Sequence, residues 1–589
     1  MVMLLVQHNT FLNISDHLCP LIRNEFKGSA VAESFSCSRT KTAAIVNCLG
    51  DHFFENLKTD MQNLPYSLML DSSNDNGVEK MFPVTVRIYD VNFGRIMTKF
   101  LDMNLLEGRE ASTADVMFES VNNLLDVNSI QWDHCMAIGL HNTNVNIGDH
   151  NSIKSRAREK NKNVIIAGCP CHILHNASGK AGTAFSEVTD FDVEDHCVDV
   201  FYWFDKSSKR KNILKEYYEF CDTEFQEVIK FISTRWLCLE LCINRELKKY
   251  EGLKSYFLSE NFPDARFKRL YRSYADPMTE VYLLFYHAIL PCFTNFNKLL
   301  QREDPLIYQL HDAQQRFMHK LASKFINPVV IQKHTLKKKS LADLEMSIEN
   351  QRDDISLGIG PLTRNTIKRL LEGGEVDQAK VDQFFDAVRA FYVRAYEYCV
   401  HWLPLDDPFF KNCVFVDFKK RAEVSFSHIE QTVTRLTLIH EALVTDASMF
   451  DAVEEQFMDY QAMCETDIPK NIWEAAQVGD IRDQQYRMDV IWGYLKPKLP
   501  LLAEVALSVL VIPHSNAGEE RVFSTIRKNK TEFRSRLQLG GSLNSIMRVK
   551  MSIPEELMPC YKWEPSDELL KKCKSATRAY NEKHSSKDK

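Results

Sequence analysis

Five short apolar segments in the first third of the chain constrain its fold more than any other feature. They cover residues 66–70, 83–90, 96–106, 135–140 and 164–168. The second segment alternates strictly, with Val84, Val86 and Ile88 on one face, which predicts a half-buried antiparallel strand. Each of the last two is followed by a helical pattern, and a parallel crossover needs a connection of that length. The predicted chain order is therefore β-β-β-α-β-α-β-α, which gives a sheet of mixed strand direction.

The pattern changes to helical spacing between residues 244 and 498. One example is the stripe formed by Val281, Leu284 and Phe285. Neither strand alternation nor an internal repeat occurs there, so we expect an all-α domain of roughly 250 residues. The polar, lysine-rich end of the chain is expected to be disordered. The predicted segments are an N-terminal helical region 1–62, an α/β segment 63–243, the all-α domain 244–498, a helical segment 499–555 and the polar tail 556–589.

Composition and charge limit the classes of protein to which the chain can belong. A net charge of −7 argues against a protein that coats nucleic acid, so nucleic-acid binding would need local basic patches. The sixteen cysteines are scattered and lack the density of a secreted disulfide scaffold, which indicates reduced thiols. The apolar opening residues lack the basic start of a signal peptide, and the run Leu499 to Ile512 is too short to span a bilayer. We expect a soluble nuclear or cytosolic protein.

Two strand ends carry polar residues that could do chemistry. Asp71 follows the first strand beside a small-residue loop, a suitable place to bind a divalent cation, although an acid there can also cap a turn. His141 follows the fourth strand, where α/β enzymes often place a catalytic carboxylate. The sequence alone leaves open whether His141 is a working residue or a replaced one.

A second acidic candidate is the pair Glu519 and Glu520. Both lie in the first turn of a predicted helix that Ser515 or Asn516 would cap. The helix dipole favours acids at that place, so capping alone could explain them.

The cluster Cys169, Cys171, His172 and His175 raises the question of zinc. All four residues lie within seven positions, whereas structural zinc sites usually take two ligand pairs from separated segments. We therefore favour a structural contact between Cys169 and His172 that packs the start of a helix.

Arg235 and Trp236 are the candidate nucleic-acid contacts. An exposed Arg-Trp pair can clamp phosphates and stack on bases. A tryptophan among apolar neighbours is more often part of the core, so both interpretations stay open.

The order of these features resembles that of hAT-superfamily transposases. Residues 515–524 read Ser-Asn-Ala-Gly-Glu-Glu-Arg-Val-Phe-Ser and are followed by a basic helix ending at 544–551, which resembles the family's C-terminal dimerisation region. Asp71, the Cys169-x-x-His172 pair and Thr234-Arg-Trp236 come in the family's order. The resemblance covers residues 10 to 552. It implies an RNase H-like mixed sheet interrupted by a large all-α insertion, an α/β + α fold with C-terminal dimerisation helices.

The resemblance also implies a site with three carboxylates that hold two Mg²⁺ or Mn²⁺ ions. Asp71 matches the first acid and Glu520 the third, while the middle position holds His141. A histidine offers one nitrogen, whereas Mg²⁺ prefers anionic oxygen. We therefore expect a degenerate catalytic site and a protein that uses no metal cofactor.

Other roles are carried over from the same resemblance. Arg235, Trp236 and Arg521 would contact DNA. Leu537, Leu543 and Met547 would pack partly against helices of their own chain and partly against a second subunit, giving a homodimer or higher oligomer. The family's N-terminal BED zinc finger has no matching Cys/His spacing before residue 30, so we expect that module to be absent.

The leading functional interpretation is a domesticated, catalytically inactive transposase in the nucleus or shared between nucleus and cytoplasm. It would keep dimerisation and some nucleic-acid contact, without membrane association. One alternative is an active or weakly active transposase that cleaves DNA and transfers strands. The other is a chromatin or transcription adaptor that uses the helical insertion as a docking surface.

Overall fold

The computed structural model describes residues 1–74, 80–106, 111–232, 238–436, 441, 446–480, 484–531, 537 and 539–585. The chain forms two compact units. The first unit comprises Met1–Cys169, Glu303–Tyr308 and Pro408–Lys589, and the second comprises Pro170–Arg302 and Gln309–Asp407.

A six-stranded mixed sheet forms the centre of the first unit. Its strands are β1 Tyr66–Leu70, β2 Ser73–Asn74, β3 Lys80–Asp90, β4 Arg95–Leu106, β5 Cys135–Leu140 and β6 Ile165–Gly168. The long strands lie in the order β4-β3-β1-β5-β6, and the short β2 pairs with the start of β3. β3 is antiparallel to β1 and β4, whereas β1, β5 and β6 run parallel. A further two-stranded sheet joins β7 Gln477–Val478 to β8 Gln485–Tyr486.

Helices make up most of the rest of the described chain. In chain order they are α1 Val2–Gln7, α2 Ser15–Glu25, α3 Ala30–Ser34, α4 Arg39–Asn63, α5 Ala114–Val127, α6 Asn144–Ile147, α7 Ile153–Lys160, α8 Pro170–Thr189, α9 Val193–Phe204, α10 Ser208–Phe220, α11 Cys238–Lys248, α12 Tyr250–Ser259, α13 Ala265–Ala275, α14 Met278–Leu300, α15 Ile307–Phe325, α16 Pro328–Leu336, α17 Pro361–Glu372, α18 Gln378–Trp402, α19 Pro408–Asn412, α20 Phe426–Val433, α21 Ala447–Ala462, α22 Lys470–Ala476, α23 Met488–Leu495, α24 Pro500–Leu510, α25 Ala517–Asn529, α26 Asn544–Ser552 and α27 Asp567–Ser585.

The predicted order of strands and helices is confirmed, but the burial predicted for the second segment is wrong. β3 is buried on both faces, including Thr85 and Arg87, which alternation places on the polar face. Thr85 donates a hydrogen bond to Glu519, and Arg87 donates one to the backbone oxygen of Glu303. Segments distant in sequence therefore cover the face that we expected to contact solvent.

The second unit is helical, with an aromatic core. Phe185 on α8 is fully buried and contacts the rings of Tyr282, Phe285 and Phe384, which come from α14 and α18. α8 therefore belongs to this unit, because its apolar face packs on the later helices. The unit begins at Pro170 and ends at Asp407, both earlier than the 244–498 bounds expected from the sequence.

The expectation of a disordered tail over 556–589 is wrong for much of that range. α27 covers Asp567–Ser585, and its Leu569 and Ala576 are buried. Leu569, Cys573 and Ala576 recur at helical spacing, which gives this lysine-rich segment one apolar stripe that packs on α4. None of the described helices is long and apolar enough to cross a membrane.

Candidate acidic site at the strand ends

Three neighbouring strands end side by side at one edge of the sheet. Leu70 pairs with Leu140, and Leu140 pairs with Gly168, in parallel register. Asp71, His141 and Cys169 follow these three residues directly. The carboxyl ends of parallel strands are where open α/β sheets usually place functional residues. The adjacency of Asp71 and His141 agrees with the sequence-based expectation.

Asp71 is half-buried at this edge. Its Oδ1 accepts a hydrogen bond of 2.8 Å from the backbone N–H of Ser72. Its charge also acts on Lys80 at the start of β3: burial lowers the pKa of Lys80, and the Asp71 carboxylate opposes that shift. The positive charge of Lys80 therefore lies within electrostatic range of Asp71.

His141 and Asn142 form the turn after β5. The backbone oxygen of His141 accepts hydrogen bonds from Thr143 N at 2.8 Å and from Asn146 Nδ2 at 3.0 Å. The Asn142 amide donates to the backbone oxygen of Cys169 at 2.8 Å and accepts from its N–H at 3.0 Å. Asn142 thus fixes the ends of β5 and β6 together, so its oxygen is already engaged.

The helix α25 brings an acid to the same part of the sheet. Its Gly518 approaches β1 closely, since a Cβ there would lie 2.9 Å from Met69 Cε. Thr85 on β3 pairs with Met69 on β1 in the sheet. The Thr85 hydroxyl donates a hydrogen bond to Glu519 Oε1. The first turn of α25 is therefore anchored on the β1–β3 pair through Glu519.

Glu519 is fully buried, and its environment favours the protonated acid. Burial raises the pKa of Glu519 well above its usual range, and the hydrogen bond from Thr85 only partly offsets this effect. The negative charges of Asp71 and Glu520 raise the pKa further. Glu519 Oε2 is buried with no hydrogen-bond partner among the residues that the structure describes.

Sequence reasoning chose Glu520 and missed Glu519. Glu520 is exposed in the structure. Glu519 is the buried carboxyl, and the charge of Asp71 helps to raise its pKa. A signal was present, because Glu519 shares one helical face with Val522, Phe523 and Ile526, all buried. The catalytic role assigned to Glu520 stays a prediction.

The donors at the strand ends do not suit a pair of Mg²⁺ or Mn²⁺ ions. Such ions prefer several anionic oxygens. Here Asp71 supplies one carboxylate, and His141 supplies nitrogen where a second carboxylate is expected. Within the described ranges, no group of three or more His, Cys, Asp or Glu side chains could hold a metal ion.

Cys169 and His172 lie on either side of the start of α8. Cys169 is buried after β6, with both backbone groups bonded to Asn142. His172 is half-buried in the first turn of α8. Their expected mutual contact stays a prediction, because each belongs to a different compact unit.

The residues proposed to contact DNA are only partly described. Arg235 and Trp236 lie outside the described residues. Arg521 forms an ion pair with Glu303 at 3.0 Å, with both side chains substantially exposed. Exposed pairs of this kind contribute at most about 1 kcal/mol, so Arg521 can exchange this partner for another anion.

The residues proposed for dimerisation need a correction. Leu543 and Met547 are fully buried in a cluster with Phe100, Met103 and Val522 of the same chain. Leu537 is half-buried against the same cluster. Because their own chain encloses them, Leu543 and Met547 offer no surface to a second subunit in this fold.

Exposed apolar side chains occur instead near the N-terminus. We define the N-terminal apolar patch as Phe11, Ile14, Leu21, Phe26 and Val31, which are 41%, 42%, 54%, 62% and 79% exposed. The buried face of α2 carries Ser15 and Cys19. Leu18 and Ile22 of α2 are half-buried on the same side, so Leu21 is the large apolar residue that this helix exposes, and the other four patch residues lie outside α2.

Comparison with known proteins identifies one region. Residues 482–550 match the family model of the hAT family C-terminal dimerisation region. No curated protein sequence matches the chain.

Proposed function

We propose that this chain, which is related to the hAT-superfamily transposases through residues 482–550, is a domesticated transposase that self-associates and no longer cleaves DNA. The family match carries this proposal, since it covers the region named for dimerisation. A nuclear location and residual nucleic-acid contact through Arg235, Trp236 and Arg521 belong to the proposal as well.

An RNase H-like core is part of the proposal. The chain order β-β-β-α-β-α-β-α and the mixed sheet support it, because the family resemblance implies that order. The position of α25 supports it further, because this helix comes late in the chain and contacts the β1–β3 pair. The Thr85–Glu519 hydrogen bond joins residues 434 positions apart, as expected for a core interrupted by an insertion.

Loss of cleavage is supported by the chemistry of the strand-end residues. A middle carboxylate would belong at His141, and the neighbouring Asn142 amide is bonded to Cys169. Without a cation, the buried carboxyl of Glu519 favours its neutral form, so a second anionic oxygen near Asp71 would depend on proton loss on metal binding.

Self-association is supported by a surface next to the dimerisation region. The segment before the patch is bonded to that region: Asn529 Nδ2 and Lys550 Nζ donate to Asn9 Oδ1 at 2.8 and 3.0 Å. Gln7 Nε2 donates to the backbone oxygen of Ile553 at 3.1 Å. Residues 7–9, which precede the N-terminal apolar patch, are therefore bonded to Asn529, Lys550 and Ile553, which lie within, at the end of and just beyond the matched region.

A second copy of this chain is the partner that we propose for the patch. Homodimers usually use one self-complementary surface twice, so each copy would cover the patch of the other. The patch carries no run of like charges that would repel a second copy: Asp16 on α2 pairs with Arg39.

Light scattering of the full chain tests this proposal. Wild type should have twice the 68.3 kDa mass of one chain at micromolar concentration. The double variant Leu21→Glu/Phe26→Glu should be a monomer with an unchanged melting temperature. The matched control Val127→Glu/Ile355→Glu changes side chains that are 84% and 82% exposed elsewhere, and it should stay a dimer.

The outcomes separate two failures. A monomeric wild type would reject self-association itself. A dimeric wild type whose dimer survives Leu21→Glu/Phe26→Glu would reject only the N-terminal apolar patch as the interface.

One observation favours the alternative of an active transposase. Asp71 and Glu519 interact electrostatically at the strand edge, so two carboxyl groups remain close to each other. If a bound cation and DNA displaced the proton of Glu519, these two groups would be the remaining acidic ligands. A DNA cleavage assay decides between the two functions.

A further inference from the structure

Two thiols from opposite ends of the chain lie next to each other. Cys48 is on α4 and Cys573 is on α27, and their sulfur atoms are 3.9 Å apart. Both side chains are half-buried, so small oxidants can reach them. No function discussed above uses these thiols.

We propose that Cys48 and Cys573 form an oxidation site at which a peroxide converts the two thiols into a disulfide. The arrangement has the parts of a reactive thiol and a resolving thiol: one accessible sulfur with a cation nearby, and a second sulfur within reach. The inference does not depend on the proposed function.

Electrostatics assign the first step to Cys48. The Lys572 ammonium interacts electrostatically with Cys48. By contrast, burial and then the neighbouring Cys48 raise the pKa of Cys573 to about 12. Cys573 is therefore the thiol that stays protonated until the second step.

The groups around the pair come from both helices. His52 lies one turn beyond Cys48 on α4, and burial followed by the Lys572 charge lowers the pKa of His52. On α27, Lys572 is paired with Glu568 at 2.8 Å, which leaves its ammonium partly neutralised.

The reaction balances in two steps. The Cys48 thiolate attacks one oxygen of hydrogen peroxide, the O–O bond breaks, and hydroxide leaves as Cys48 becomes a sulfenic acid. The Cys573 sulfur then attacks the Cys48 sulfur, an S–S bond forms and the S–O bond breaks. The second hydroxide takes the Cys573 proton and leaves as water, so two thiols lose two electrons to one peroxide.

The disulfide would fix α27 to α4 beside the dimerisation region. Leu49 on α4 and Leu569 on α27 share one buried cluster with Ile546 and Val549 of α26. Up to residue 578, where its side chains are described, α27 packs on α4 through Leu569, Cys573 and Ala576, and the proposal includes local opening of this helix in the reduced protein. A covalent link between α4 and α27 removes that opening.

Intact mass and peptide mapping of the full chain test the proposal. After hydrogen peroxide treatment and alkylation without reductant, a peptide containing Cys48 should be joined to a peptide containing Cys573 in the same chain. Tryptic cleavage after Lys571 and Lys574 should slow by roughly tenfold and recover with dithiothreitol. Cys464→Ser removes an exposed thiol and should change neither result.

Variants that lack one of the two thiols are the negative controls for this experiment. Cys48→Ser and Cys573→Ser should each abolish the linked peptide and the protection from trypsin. The proposal is overturned if peroxide-treated wild type yields no linked Cys48–Cys573 peptide. It is also overturned if Cys48 is oxidised to a sulfinic acid without forming a disulfide, or if the disulfide joins two different chains.

Discussion

Replacement of Glu519 by glutamine should change how the stability of the first unit depends on pH. Burial raises the pKa of Glu519 in the folded chain, while in the unfolded chain it returns to its usual value. Between those two pKa values the folded state holds a proton that the unfolded state releases. The free energy of unfolding therefore falls as pH rises through this window, by about 1.4 kcal/mol for each pH unit.

Glutamine removes this dependence because it cannot ionise. Its oxygen can still accept the hydrogen bond from Thr85, but its amide nitrogen takes the place of Oε2, which has no partner within the described structure. In acid the proton of the wild-type carboxyl lies on Oε2 and has no partner either, so the amide adds little cost there. The variant is therefore expected to be about as stable as wild type in acid and to become more stable than wild type as pH rises.

Urea unfolding from about pH 5 to about pH 8 measures the difference. Hydrogen exchange is measured on peptides from β3 and α25, which belong to the unit that contains Glu519. It therefore reports the stability of that unit separately from that of the helical unit. Glu520→Gln leaves Glu519 able to ionise, so the slope should remain, with the window ending at a lower pH because the Glu520 charge helps to raise the pKa of Glu519. Asp71→Asn should end the window at a lower pH, because the Asp71 charge helps to raise the pKa of Glu519. A constant difference between Glu519→Gln and wild type across this pH range would refute the reasoning.

Four further predictions follow from particular contacts. Met547→Ala should lower the free energy of unfolding by about 2–5 kcal/mol without selectively dissociating a dimer, because Met547 is fully buried; melting and light scattering check this. Asn142→Ala removes both hydrogen bonds to Cys169 and should cost about 1–3 kcal/mol, with faster hydrogen exchange at the ends of β5 and β6. His141→Asp restores a carboxylate beside Asp71 and should give Mn²⁺-dependent thermal stabilisation that wild type lacks; no gain would mean that the site has changed at more than one residue. Trp236→Ala should keep the melting temperature and lose single-stranded DNA binding, whereas a variant that unfolds would identify Trp236 as core.

The elements with local signals could be predicted from the sequence. The strands were visible because apolar residues alternate or cluster in short segments, and the helix-length connection before each of the two later strands allows these strands to run parallel. The adjacency of Asp71 and His141 was expected from the family resemblance, which requires these positions to converge. The strand predictions depend on neighbouring residues in the chain.

The features that depend on distant packing could not be predicted. The alternation in the sequence predicts that Thr85 and Arg87 contact solvent. In the structure α25 and Glu303 cover them. The enclosure of Leu543 and Met547 depends on Phe100 and Met103 of β4, more than four hundred residues away. An apolar helix stripe indicates that something covers it, but not whether that partner is the same chain or another one.

DNA cleavage by the wild-type protein tests the central claim most directly. Transposon-end duplexes and supercoiled plasmid are incubated with the full chain and Mg²⁺ or Mn²⁺, beside an Asp71→Ala variant. The account predicts that wild type cleaves neither substrate above the level of Asp71→Ala. Clear metal-dependent cleavage by wild type that Asp71→Ala abolishes would contradict it and establish an active transposase.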